Sequence, residues 1–222
     1  PYKHLPYDPA KHFMPLELIA TIPFVLVVNN DLPVHSVAEL IAYAKAHPGA
    51  LSYGSTGPGT PFHLNAELFS AMTGIKMVHV PYKAVVAAQV DLMGGQIQVM
   101  FTDFTSSVPL IKAGKMRALG VTTLTRAAAM PDLKPIAELG VPGFNAAAWQ
   151  MVVAPAATPK PIVDRLHTEL ENIMALPATR EAITRIGLVP AGSMTIPQLQ
   201  AFVRSEIVRW GDVVKRSGAS VD

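Results

Sequence analysis

Residues 53–64, YGSTGPGTPFHL, bring together Gly54, Gly57 and Gly59, the hydroxyls of Ser55, Thr56 and Thr60, and a proline ahead of a helical pattern. Glycine lets backbone approach a ligand closely. Proline at the first helical position leaves the unpaired N–H groups of a helix start, and its positive end, facing the turn. Such a nest suits a small anion. Gly54 and Gly59 keep the G-x-x-x-x-G spacing of a nucleotide-binding loop, but Thr60 and Pro61 stand where Lys and Ser/Thr are required. No point charge then meets the terminal phosphates, and no second hydroxyl binds magnesium. Phe62 replaces the third glycine of a dinucleotide fingerprint. A carboxylate is therefore as good a guest as a phosphate, and a plain capped turn without ligand is the competing reading. The ligand-binding candidates here are Gly54, Ser55, Thr56, Gly57 and Thr60.

A second cluster, FTDFTSS (101–107), follows an apolar run. Thr102 and Asp103 can take up the polar groups of a ligand, or Asp103 can cap the helix that follows; the residues by themselves favour capping. The seven histidines, His4, His12, His35, His47, His63, His79 and His167, show no metal-ligand spacing. His63 falls in the first helical turn and can face the pocket, whereas His79, inside MVHV, reads as a sheet or core residue. Ser55 lacks a G-x-S-x-G context, no Ser/His/Asp set stands out, and Asp91 and Asp103 sit on different elements. The expectation is a pocket with donors and no chemical engine: no catalytic residue, no metal and no cofactor.

Alternating short apolar runs and helical patterns must position these groups. LELIATIPFVLVV (16–28) reads as one or two strands broken at Pro23. Ser36 and Glu39 form a capping box opening a helix that HPG (47–49) closes. LSY (51–53) is a strand; the turn then leads into a helix to Met72, stopped at Gly74. MVHV (77–80), IQVMF (97–101) and MRALGVT (116–122) are further strands. AVVAAQVDLM (84–93) is a helix stopped by Gly94-Gly95, and a short helix precedes the last strand of this group. Single helices between strands imply βαβ units and a parallel sheet, with the turns at 54–60, 81–84 and 102–107 gathered on one edge. After residue 140 the pattern becomes one strand, 146–155, and three helices near 159–175, 178–186 and 196–216. Thr158-Pro159 is expected to start the first of them, and a Thr195/Gln198 box the last. Leu199, Val203, Ile207, Trp210 and Val214 place an apolar stripe on that last helix.

Composition narrows the function classes. Half of the 222 residues are apolar, 15% are charged and the formal net charge is +2. Lys11, Lys45, Lys76, Lys83, Lys112 and Lys115 are scattered, which argues against a nucleic-acid partner. No apolar run is long enough to span a bilayer. Cysteine is absent, which fits a periplasmic and a cytosolic protein equally.

The order of LPYDP, LVVNNDLPVHSVAELIAYAKAHPGALSYGSTGPGTPFHLNAELF, HVPYK, DLMGGQIQVMF, IKAGKMRALGVT, MPDLKPIAELG and APAATPKPIVDRLHTELE strongly resembles the Bug family, the periplasmic solute-binding receptors of tripartite tricarboxylate transporters. The resemblance runs from Leu5 to the C-terminal helix. It implies an α/β, two-lobed Venus-flytrap receptor that closes on a small organic acid, and an N-terminal strand and Gly/Pro-rich loop lying outside this chain. On that scheme residues 1–25 are the remainder of lobe 1 and the crossover, 26–146 are lobe 2, and 147–222 return to lobe 1. The anion turn is then Gly54 to Thr60, and the strand-end contact is Thr102 with Asp103. His63, Tyr82, Phe24 and Trp149 are secondary candidates. Ala84-Val85-Val86 replace small Gly-rich residues after HVPYK, and Ala157 replaces a glycine in APAGTP. The first departure reshapes the wall near Tyr82, so the family's ligand preferences are not carried over. The implied protein is a monomeric periplasmic receptor for a dicarboxylate, amino acid or aromatic acid, delivering it to membrane transporter subunits. An α/β enzyme with an anion site, and a ligand sensor with a signalling partner, are the alternatives.

Overall fold

In the computed structural model, which describes residues 6–217, the run expected to break at Pro23 is one continuous strand, β1 (Phe13–Val28). Pro23 falls between Thr21, paired with Val189, and Phe24, paired with Asp103, so its missing N–H costs neither ladder a bond. Ahead of β1 is one turn of helix, α1 (Pro9–His12), capped by Asp8. His4, the start of the resemblance at Leu5 and the outer ends of the two lobe-1 segments lie outside the described residues. The chain divides into two compact units. One comprises Pro23–Ala147 with the end of the last helix from Val213; the other comprises residues 6–22 and Ala148–Asp212.

The first unit runs from the second half of β1 through α2 (Val37–Ala46), β2 (Ser52–Ser55), α3 (Pro61–Thr73), β3 (Val78–Pro81), α4 (Val85–Met93), β4 (Val99–Asp103), α5 (Phe104–Lys112) and β5 (Arg117–Val121). Local signals set the boundaries. Ser36 Oγ accepts the Glu39 N–H at 3.1 Å, while the Glu39 carboxylate reaches back to the His35 N–H at 2.7 Å, one residue beyond an ordinary capping box. Gly74 ends α3 in the left-handed conformation, φ 69°.

The strand order is β3-β2-β4-β1-β5. β2 is parallel to both β3 and β4, as βαβ crossovers through α3 and α4 require. β1 runs antiparallel to β4 and β5 and lies between them. The sheet is therefore mixed, not parallel throughout. A helix between successive strands does not by itself dictate direction: α2 joins β1 to β2, yet β1 runs against β4, to which β2 is parallel. One sheet face packs Val25, Val27 and Met100 against Ala88, Leu92 and Ile97. On the other, Phe69, Phe101 and Phe144 meet with ring centroids 5.6–6.2 Å apart. A sheet with helices on both faces is the outcome.

The second unit holds the first half of β1, β6 (Ala147–Pro155), α6 (Lys160–Ala175), α7 (Pro177–Arg185), the two-residue β7 (Val189–Pro190) and most of α8 (Ile196–Ser217). β7 is too short to leave a periodic signal. The cap of α6 is Pro159, one residue after the expected Thr158. Gln198 Oε1 accepts from both the Thr195 N–H, at 2.8 Å, and the Thr195 hydroxyl, at 3.0 Å. Along α8, Leu199 is buried but Ile207 is 48% exposed. Its place on the inner face goes to Glu206, which accepts from Trp149 Nε1 at 3.1 Å, Trp210 Nε1 at 2.9 Å and Arg209 at 3.0 Å. Three donors satisfy a carboxylate that apolar periodicity alone does not place inside.

Glu17 of β1 is buried, and its Oε2 accepts no hydrogen bond. His167 Nδ1 lies 3.6 Å from that oxygen, but its proton is committed to the Leu16 carbonyl at 2.7 Å. Loss of hydration raises the Glu17 pKa, and the His167 charge only partly opposes this. The folded state therefore holds the Glu17 proton to higher pH than the unfolded chain, and the ionised carboxylate costs stability above that range. Glu17→Gln should raise the thermal midpoint by a few degrees at pH 8 and by less at pH 5. Calorimetric scans of both proteins at the two pH values check this, and an advantage that grows on acidification would contradict it.

Candidate functional site

Because β2, β3 and β4 are parallel, their C-terminal ends share one edge of the sheet, and the stretches 55–60, 81–84 and 102–107 converge there. The Tyr82 N–H donates to the Ser55 carbonyl at 2.9 Å. Gln89 of α4 donates to Thr102 Oγ1 at 3.2 Å and to Ser106 Oγ at 2.8 Å. Phe24 pairs with Asp103 across the ladder, and its ring stands edge-on to Phe62 of α3 at 5.2 Å. The expected gathering of the three turns is what the geometry has.

Gly54 and Ser55 belong to strand β2, not to the turn. Gly54 is there for close packing. A Cβ on it would run into Ile97 Cδ1 and lie 3.2 Å from Ala88 Cβ and 3.4 Å from the Tyr82 ring. The turn proper holds Gly57 and Gly59 at positive φ, 111° and 75°. Thr60 is the helix cap as expected, but its hydroxyl donates to the Gly57 carbonyl at 2.8 Å instead of accepting from the helix.

The backbone donors of the turn divide into two groups. The Gly57 N–H donates to Ser55 Oγ at 3.0 Å, the Gly59 N–H to His63 Nδ1 at 3.2 Å, and the Thr60 N–H to the Gly57 carbonyl at 3.4 Å. Pro58 and Pro61 have no N–H to offer. This leaves the Thr56 N–H and the first-turn N–H groups of Phe62 and His63, which have no acceptor within the helix. Among the described residues no hydrogen bond engages the Thr56 side chain, and the residue is half-buried.

Asp103 caps α5. Its Oδ1 accepts the Ser106 N–H at 2.8 Å, its Oδ2 accepts the Ser106 hydroxyl at 2.8 Å, and its carbonyl accepts from Ser107 Oγ at 2.5 Å. Thr102 is fully buried, with Gln89 as its partner. The Tyr82 hydroxyl donates to Asp91 Oδ2 at 2.7 Å, and burial together with that carboxylate pushes its pKa up to about 12. Trp149 belongs to the other unit, where its indole N–H is held by Glu206 and its ring meets Phe202 at 5.4 Å. There it also lines a recess of about 430 Å³ with Phe13, Met151 and Val203.

Sequence reasoning missed a buried polar cluster behind the turn. His79 Nε2 lies 2.6 Å from Ser55 Oγ, and the rings of His63 and His79 lie with centroids 4.2 Å apart, tilted by 36°. Tyr53 lies against both rings and donates its hydroxyl to Glu67 Oε1 at 2.5 Å. Burial lowers the pKa of His63; burial and the neighbouring His63 take His79 down to about 4. Both imidazoles are neutral at neutral pH. The Ser55–His79 contact is no nucleophile pair, since Ser55 is fully buried and, among the described residues, no carboxylate is hydrogen-bonded to His79. Gln89 was also missed. Its only sequence signal was the i+4 spacing from Val85 on α4, which does not show what it faces.

Among the described residues no group of His, Asp and Glu side chains is arranged to hold a metal ion, and no helix is long and apolar enough to cross a membrane.

A family model described as tripartite tricarboxylate transporter family receptor matches residues 1–219. The chain is 33% identical to protein BugT of Bordetella pertussis over 98% of its own length and 66% of BugT. Another curated relative, encoded in the tcbD-tcbE intergenic region of Pseudomonas sp. strain P51, is 37% identical, and the chain covers 63% of it. The chain thus spans a little under two thirds of the length of these relatives. Among solved structures, an R. palustris protein with adipate is 39% identical at a TM-score of 0.84, with 99% of this chain and 73% of that one covered. The periplasmic binding protein BugD is 30% identical at 0.80, with 99% and 74% covered. MatC from Rhodopseudomonas palustris, with bound malate, is 28% identical at 0.78, with 95% and 72% covered.

Gly54→Ala tests how tightly this edge is packed. The added methyl meets the Ile97 side chain and the Ala88 methyl, and overpacking of this kind costs about 1–3 kcal/mol. Urea unfolding should show that loss, and an unchanged midpoint would mean that the sheet and α4 yield freely.

Proposed function

The chain belongs to the tripartite tricarboxylate transporter receptor family, and from that premise we propose that it captures a small organic carboxylate outside the cytoplasm and delivers it to membrane transporter subunits. The observation that carries this reading is the match, along 99% of the chain, to a structure holding adipate. The malate in MatC supports the same ligand class. Both are short dicarboxylates, which we take as the first candidates ahead of amino acids and aromatic acids. The description of BugD as periplasmic supports a periplasmic location here.

In the proposed complex one carboxylate meets the Thr56 hydroxyl and the backbone donors that the turn has not used internally, at Thr56, Phe62 and His63. The positive end of α3 favours that charge. Gly54, Ser55, Gly57 and Thr60 give the turn its shape, Thr102 and Asp103 border it from β4, and Phe24 and Tyr82 supply apolar wall. One helix terminus contributes about 0.3–2 kcal/mol, whereas micromolar affinity needs about 8 kcal/mol. Closure of the receptor around its ligand has to supply most of the difference. Nothing at this edge calls for a covalent step: the hydroxyl with a neighbouring base is buried, and the Asp103 carboxylate is occupied by its own helix. We therefore read the protein as a binding protein and not an enzyme.

A thermal-shift screen of malate, succinate and adipate against monocarboxylates, amino acids and aromatic acids tests the ligand class. The dicarboxylates should raise the midpoint most, and a response confined to amino acids would overturn the assignment. Calorimetry then separates the two hydroxyls. Thr56→Val should weaken binding about 3- to 10-fold, the worth of one hydrogen bond, with no loss of thermal stability. Ser55→Ala should lower both affinity and stability, because its hydroxyl is tied into the protein. Unchanged affinity in both variants would remove the turn from the site.

A further inference from the structure

We infer that His63 and His79 form a neutral acceptor pair that positions the 55–60 turn for its anion, an inference that rests on reading this turn as the ligand site. The two glycines at positive φ each send their N–H to this pair, one directly and one through a hydroxyl. Gly59 donates to His63 Nδ1 at 3.2 Å, so that nitrogen carries no proton and the ring proton is on Nε2, 3.9 Å from Glu67 Oε1. Gly57 donates to Ser55 Oγ at 3.0 Å. The Ser55 hydroxyl proton has two acceptors in reach, His79 Nε2 at 2.6 Å and the Gly57 carbonyl at 3.3 Å. The shorter contact takes it, which makes His79 Nε2 an acceptor too. An imidazolium has no lone pair to offer, so the Gly59 contact exists only while His63 is neutral, and protonation of His79 reverses its contact, the ring then donating to Ser55 Oγ and the hydroxyl turning to the Gly57 carbonyl.

The surroundings keep the rings neutral. His63 is 4% exposed, and the two rings are 4.2 Å apart, so two positive charges there would repel at close range. The titratable groups facing the pair are Tyr53 from β2, which lies against both rings, and Glu67 from α3. Glu67 is tied to the Tyr53 hydroxyl and opposes the fall in the His79 pKa without cancelling it. From pH 8 to about 5 His79 therefore stays neutral, and His63 keeps its lone pair to lower pH than an exposed imidazole does. The division of backbone donors follows from this: the glycine N–H groups are held inward, and the anion is left to Thr56 and the start of α3.

Amide hydrogen exchange on the full chain, read residue by residue by NMR, tests the inference without any ligand. His63→Asn keeps an acceptor where Nδ1 stood, and His63→Leu fills the space without one. The Gly59 amide should stay protected in the wild type and in His63→Asn and exchange about tenfold faster in His63→Leu, the loss of one hydrogen bond. Val27 and Met100 in the sheet should not change. His79→Gln and His79→Leu should divide Gly57 in the same way. Equal Gly59 rates in all three proteins, or an Asn variant that behaves like the Leu variant, overturns the inference. Should either Leu variant lose its sheet protection, wild-type titration decides. The Gly57 resonance should hold from pH 8 to 5 and move towards pH 4, the Gly59 resonance should hold through the range in which an exposed imidazole titrates, and a transition centred near pH 6.5 in either overturns it. In a parallel arm, adipate should bind wild type and His63→Asn alike and His63→Leu about tenfold more weakly. Equal adipate affinity in all three, with Gly59 deprotected in the Leu variant, overturns the positioning role. If no protein binds adipate, the ligand assignment fails, and the exchange rates still decide whether the imidazoles hold the turn.

Discussion

The hydrogen bond between Ser55 Oγ and His79 Nε2 joins the ends of two parallel strands, and the candidate site is organised around it. Register makes it possible: Tyr53 stands opposite His79 and Ser55 opposite Pro81, so Ser55 and His79 share a face and sit one step apart along neighbouring strands. From Ser55 the order passes to Gly57, from Gly57 to Thr60 through the carbonyl that Thr60 caps, and from there into α3. A turn with two glycines and a proline gains its definition from this polar chain, since glycines alone would leave it loose.

Donor accounting follows from the same bond. A glycine-rich turn before a helix suggests a nest in which every N–H is aimed at a guest, yet the N–H groups of Gly57, Gly59 and Thr60 already have internal acceptors. What remains is fewer donors, held more firmly. Organisation of this sort lowers the cost of ordering a site when ligand arrives. It also sets a ceiling on what the turn contributes to holding the proposed ligand.

The elements were legible because their signals are local. The Ser36 cap, the Gly74 stop and the Gly94-Gly95 end of α4 all act within a few residues of themselves, and all three are where the sequence puts them. The failures have one cause. Pro23 looks like a strand breaker until the partners of Thr21 and Phe24 are known. Ile207 looks like core until the indoles of Trp149 and Trp210 turn Glu206 inward. Gly54 looks like part of a flexible turn until Ile97 and Ala88 are seen to leave no room for a side chain. In each case the deciding neighbour lies on another element.

The sequence by itself determined the family, the order of strands and helices, and the rejection of nucleotide at residues 53–64, since a missing lysine is missing in any fold. It also offered Thr60 and Asp103 as helix caps, because caps are properties of adjacent residues. Tertiary structure alone decided that β1 runs against β4 and β5, that Asp103 spends both oxygens on Ser106, and that His79 belongs to the site's support. Ser55 and His79 are 24 residues apart in the chain. Only the pairing of β2 with β3 brings them within a hydrogen bond, and a pattern read a few residues at a time has no access to that register.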